Sequence, residues 1–170
     1  VLRFYGASES EIARSLAESG GEGDGVEVTI CARDFEIHVD LLADPGATAR
    51  TDALVAALRG SLDRYLFSED ERTVEELVLD LCRANGLRIA TGESCTGGMV
   101  AARLTSVPGS SDVFVGAIVA YSNEVKETRL GVPAMILGEH GAVSAQTAAA
   151  MAAGARRRLN ADVSIGVTGI

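Results

Sequence analysis

Residues 88–104, RIATGESCTGGMVAARL, decide the fold. A short apolar run, Ile89-Ala90, leads into Gly92-Glu93-Ser94-Cys95-Thr96-Gly97-Gly98, and apolar residues at helical spacing follow. The pattern predicts a strand over 87–91 that hands over, through a glycine-rich turn, to a helix from about Gly97. Such a turn exposes a side chain beside the unpaired amides of a helix start. It suits a phosphate cradle, a serine nucleophile, a cysteine nucleophile or a plain turn.

The same alternation continues on both sides. Upstream, TVEELVLDLCRANG has Thr73 as helix N-cap, Glu76 three residues on and Gly86 as the stop signal. Downstream come a strand over 113–121, a helix from about Asn123, an Ala-rich helix capped by Ser144, and the strand DVSIGVTG. Strands and helices in alternation predict a layered α/β domain over 73–170 with a largely parallel sheet. The chain stops directly after a strand, where such sheets carry ligand loops, and so reads as truncated at its C-terminus. Residues 1–72 read as a smaller α+β unit of order α-β-β-α. Its first helix is capped by Ser8 or Ser10, and VEVTICA and FEIHVDLLA alternate as strands. A second helix places Leu54, Ala57, Leu58, Leu62 and Leu66 on one stripe, and FSEDER forms a charged junction.

Composition narrows the classes. The chain is 47% hydrophobic and 4% aromatic with no Trp, so its core is built from aliphatic residues. No apolar run reaches membrane-spanning length, and the chain reads as soluble, cytoplasmic and without a membrane partner. Cys31, Cys82 and Cys95 form no CxxC pair, and His38 and His140 are far apart, so no metal site is expected. His38 reads as a sheet residue and His140 as a loop or cap residue. Residues 1–72 hold 15 acids against 7 bases, whereas 73–170 hold 9 against 8. An acidic first unit repels phosphate backbones, so no nucleic-acid partner is expected.

The basic residues are 14 Arg and one Lys, Lys126. Arg keeps its proton in a protein, whereas Lys releases one when its pKa is depressed, so the lone lysine marks a place where Arg cannot serve. Equally, by count alone, it is one survivor on a solvated helix face. GESCTGG lacks the lysine of a P-loop, and it matches the hydrolase elbow GxSxG only in part, with Thr96 at the second glycine. Ser94 holds the exposed turn position, and Gly97-Gly98 let a substrate approach the backbone. A serine nucleophile needs a base. No His stands in a suitable motif, which leaves Lys126, with Tyr121 at the end of the preceding strand as a proton relay. Cys95 is expected to be buried under the sheet. Ser144 is foremost a helix cap whose hydroxyl could also touch ligand.

The motifs ESCTGG, TSVPGSS, VAYSNEVK, LGV, EHGAVS and VTGI, in this order and spacing, resemble the C-terminal domain of CinA-type competence- or damage-inducible proteins. LRFYGASESEIARSL resembles, more weakly, the KH-like middle domain of the same proteins. The resemblance implies an amidohydrolase that converts nicotinamide mononucleotide to nicotinic acid mononucleotide and ammonia, without metal or cofactor. It places the catalytic serine at Ser94, the lysine at Lys126 and the tyrosine at Tyr121. Thr96, Gly97, Gly98 and Ser144 become substrate-binding candidates, and a homo-oligomer is expected. A Gly/Pro-rich loop follows TGI in the family and is absent from this sequence. The competing expectation is a non-catalytic binding or dimerisation module. The GxxG-like loop at Gly20–Gly23 is acidic, which points to a structural role for the first unit.

Overall fold

Leu2 and Phe4, spaced for one face of a strand, begin a four-residue strand β1 (Leu2–Tyr5). Helix α1 (Glu9–Glu18) follows, with Ser8 accepting from Glu11 N and Glu11 answering the Ser8 amide in a reciprocal cap. Then come β2 (Val26–Arg33), β3 (Glu36–Ala43), α2 (Thr48–Leu62) and β4 (Leu66–Ser68). The computed structural model describes residues 1–33 and 35–170, and this first unit spans Val1–Val74. Its strands form an antiparallel sheet in the order β2-β3-β1-β4. The two helices close one face over Phe4, Ile12, Val39, Leu54 and Leu58, all fully buried.

The α-β-β-α expectation is corrected here: the unit is β-α-β-β-α-β. Leu66 leaves the helical stripe for β4, and Phe67 of the expected junction is also a strand residue. Strands of four and three residues place only one or two side chains inward, too few to display a period of two.

The second unit, Glu75–Ile170, is the α/β domain. Helix α3 (Val74–Asn85) begins directly after Thr73 and stops at Gly86, which sits at φ 63. Strand β5 (Ile89–Glu93), helix α4 (Met99–Ser106), strand β6 (Phe114–Val119) and the short helix α5 (Asn123–Val125) follow. A π-helical segment (Lys126–Leu130), α6 (Ala134–His140), α7 (Ala145–Leu159) and β7 (Val163–Val167) complete it. His140 is thus the last residue of a helix. The sheet is entirely parallel, in the order β6-β5-β7, with every residue of β5 buried. Leu79, Cys82, Ile89, Leu104 and Val113 pack one cluster, while Ala120, Leu130, Val132, Leu137, Met151 and Ala155 pack another. A parallel sheet needs this cover on both faces. Among the described residues, no helix is long and apolar enough to cross a membrane.

Because the three strands are parallel, their carboxyl ends meet at one edge. Ser94 N donates to Val167 O at 2.9 Å, and Ala120 N donates to Glu93 O at 2.7 Å. These bonds carry the pairing past the strand ends and hold three loops side by side, where open α/β sheets place their ligands.

Candidate active site

Ser94 follows the last residue of β5 and is buried, 5% exposed. Lys126 opens the π-helical segment beyond β6 and is 2% exposed. Their side chains meet: Lys126 Nζ lies 2.9 Å from Ser94 Oγ and 3.3 Å from the carbonyl oxygen of Tyr121, to which it donates. Nζ donates to both oxygens, and once it has lost a proton its lone pair can face the serine hydroxyl. Glu124 and Glu127 are exposed, and no described carboxylate pairs with the lysine. Burial lowers the Lys126 pKa, opposed only by the nearby Cys95 thiol, whose ionised form would raise it.

The local chain explains why the lysine reaches inward. Ser122 caps α5 by accepting from Val125 N at 3.2 Å. The helix then widens into a π turn, closed by Val132 N donating to Lys126 O at 3.0 Å. Such wide turns are common at functional sites because they re-aim one side chain. The far end of the segment presses on α7, where a Cβ at Gly154 would overlap the Leu130 carbonyl oxygen.

The pair borders a cleft of about 320 Å3 lined by Ser94, Cys95, Tyr121, Asn123, Lys126, Ala142, Val143, Thr168, Gly169 and Ile170. Thr168 Oγ1 donates to Ala142 O at 2.7 Å, fixing one wall. A larger depression of about 630 Å3 lies on the first unit, lined by Glu22, Glu27 and Asp44 among hairpin residues. Its lining holds no serine, cysteine or lysine, so the Ser94–Lys126 pair makes the smaller cleft the candidate site. Among the described residues, no group of three or more His, Cys, Asp or Glu side chains is placed to hold a metal ion.

Several sequence expectations change at this site. Tyr121 meets Lys126 through its main-chain carbonyl, while its side chain is 78% exposed and its phenol bonds to no described residue. Cys95, expected under the sheet, is exposed and lines the cleft. Neighbouring side chains on a turn point apart, so burying Ser94 turns Cys95 outward. Thr96 Oγ1 is committed to Glu93 at 2.7 Å, and Ser144 caps α7 by accepting from Thr147 N at 3.1 Å. Thr96, Gly97, Gly98 and Ser144 are all absent from the cleft lining. Gly97 and Gly98 instead supply φ 59 and φ 102 for the turn, a backbone that side chains rarely adopt.

The residue that sequence reading missed is Glu93, which is fully buried. It accepts from Gly98 N at 3.0 Å, Val100 N at 3.1 Å and Ala101 N at 2.8 Å, so the start of α4 is already filled. No described residue accepts from Cys95 N or Thr96 N. These two amides directly follow Ser94 in the turn before α4.

A family model described as the CinA C-terminal domain matches residues 71–170. The chain belongs to the CinA C-terminal domain family. A CinA-like protein of Citrifermentans bemidjiense is 43% identical over 170 residues, covering 100% of this chain and 41% of its own length. A CinA-like protein of Mycobacterium avium is 46% identical over 173 residues, with 100% and 39% covered. The chain therefore spans about two fifths of the length of these relatives. Among solved structures, the competence/damage inducible protein CihA of Agrobacterium tumefaciens is similar at TM-score 0.55 and 42% identity, over 61% of this chain and 65% of that one. The competence damage-inducible protein A of Klebsiella pneumoniae is similar at TM-score 0.54 and 35% identity, over 58% and 63%.

Proposed function

We propose that the CinA domain of this protein is an amidohydrolase that deamidates nicotinamide mononucleotide, with Ser94 as nucleophile and Lys126 as general base. The observation that carries this reading is the buried 2.9 Å contact between Ser94 Oγ and Lys126 Nζ, with no carboxylate among the described residues to hold the lysine charged. Neutral Lys126 takes the serine proton as Oγ attacks the carboxamide carbon. Cys95 N, on the cleft-lining residue directly after Ser94 and without a described acceptor, receives the oxyanion. Lys126 returns its proton to the departing nitrogen, which leaves as ammonia, and the acyl-serine remains. Water, deprotonated by the same lysine, then breaks the ester to give the carboxylic acid and free Ser94. The reaction type rests on the pair; the choice of substrate rests on the family resemblance.

The test is ammonia release from nicotinamide mononucleotide by the intact protein. Ser94→Ala is expected to lose at least ~10³-fold in kcat, whereas Cys95→Ala keeps most of its rate. Equal loss in both variants, or full activity in Ser94→Ala, would remove the serine from the reaction.

A further inference from the structure

We infer that Glu93 is a positioning residue for Ser94, holding the turn in the one shape that aims the serine hydroxyl at Lys126. The inference rests on the reading of Ser94 as nucleophile. Gly98, the residue before α4, has no side chain with which to cap the helix. Three helix-start amides would be left without acceptors. The Glu93 carboxylate supplies them from five residues upstream. Oε2 accepts from Thr96 Oγ1, Gly98 N and Val100 N, and Oε1 accepts from Thr91 Oγ1 and Ala101 N. Five donors converge on one fully buried side chain.

The main chain of the same residue is equally committed. Glu93 O accepts from Ala120 N at 2.7 Å, on the segment that leads to Tyr121 and Lys126. The next amide, Ser94 N, is bonded to β7 at Val167 O. Glu93 therefore ties β5 to α4 through its side chain and to the lysine-bearing loop through its backbone. Ser94 cannot shift toward or away from Lys126 without breaking one of these ties. A shift of about 1 Å in a reacting group is enough to cost ~10²-fold in rate. The carboxylate also occupies the positive end of α4, so a substrate anion has no place there. Cys95 N, held between Ser94 and the capped turn, stays open for the reacting oxygen.

Burial by itself would raise the Glu93 pKa, but the bonds from Thr96, Ala101, Val100 and Thr91 outweigh it and hold the group ionised. Glu93→Gln keeps the shape but puts an NH2 group where donors already point. Thr96→Val removes one donor and leaves the charge. Both variants are made in the intact protein and read with a fluorophosphonate, which reports serine reactivity without any assumption about substrate. Thermal unfolding identifies the folded fraction. Folded Glu93→Gln is expected to label Ser94 at least tenfold more slowly, and Thr96→Val several-fold more slowly. The apparent KM for nicotinamide mononucleotide should stay within twofold while kcat falls. A purely structural role would lower the melting temperature and leave the labelling rate of the folded protein unchanged, and that result overturns the inference. If Glu93→Gln does not fold, Thr96→Val decides alone: labelling within twofold of wild type contradicts the positioning role. Wild-type protein that labels at Ser94 but releases no ammonia contradicts the proposed substrate and leaves this role standing. Wild-type protein that does not label removes both.

Discussion

At Lys126 the chain buries its single lysine against a hydroxyl and a carbonyl, neither of which carries charge. Burial lowers the pKa, so the folded protein holds a proton there less readily than the unfolded chain does. Between the folded value and the ordinary 10.5, the unfolded state binds more protons, and stability rises with pH. Below the folded value the penalty is fully present. Lys126→Met, which removes the charge and keeps the bulk, should therefore unfold at higher urea than wild type near neutral pH. Its advantage should shrink as pH rises toward 10.5. Urea titrations of both proteins across pH 6–10 check this, and an advantage independent of pH would mean that the lysine pays no desolvation cost. A lone Lys among 14 Arg singled this residue out in the sequence, although the count alone fitted a solvated helix face equally well. The Tyr121 contact was not legible, since residue type says nothing about which main-chain carbonyl faces an amine. Glu93 was hidden for a related reason: a charged residue at a strand end reads as solvated until the helix amides that surround it are placed.

Segment Lys126–Leu130 and helix α7 show how element packing sets the pair. A Cβ at Gly154 would overlap the Leu130 carbonyl oxygen, a backbone atom at the end of the segment that begins with Lys126. Gly154→Ala should destabilise the domain by ~1–3 kcal/mol or more and lower activity in the protein that still folds, because Leu130 and then Lys126 are displaced. Gly60, in α2, is the control: nothing lies within 4 Å of its Cβ position. Gly60→Ala should stabilise by ~0.4–1 kcal/mol and leave activity alone. Urea denaturation with ammonia release separates the two, and a neutral Gly154→Ala would contradict the packing account. Strong periodicity and caps made most elements of the α/β domain legible, including the Ser144 cap and the Gly86 stop. The π turn was not legible, because helix periodicity and caps do not distinguish it from an α turn. β1 and β4 were missed because each is shorter than the pattern that reveals a strand.

Across the whole chain, an acidic antiparallel unit precedes a nearly neutral parallel one, and the candidate chemistry lies entirely in the second. The fold class followed from the alternation of strands and helices, and the parallel sheet then brought three loops distant in sequence to one edge. The sequence reading paired Ser94 with Lys126, but Thr168 could not be seen as their neighbour before that topology was known. The central claim is that a neutral Lys126 takes the proton of Ser94 in the intact protein. Lys126→Arg keeps a positive charge but releases no proton near neutral pH. The deciding measurement is ammonia release from nicotinamide mononucleotide by wild type, Lys126→Arg and Lys126→Ala across pH 6–9. The account predicts that wild-type kcat rises with pH as Lys126 loses its proton, and that both variants fall together by ~10²–10⁴-fold. Near-wild-type turnover by Lys126→Arg would contradict it, because the lysine would then serve as a fixed charge and not as the base.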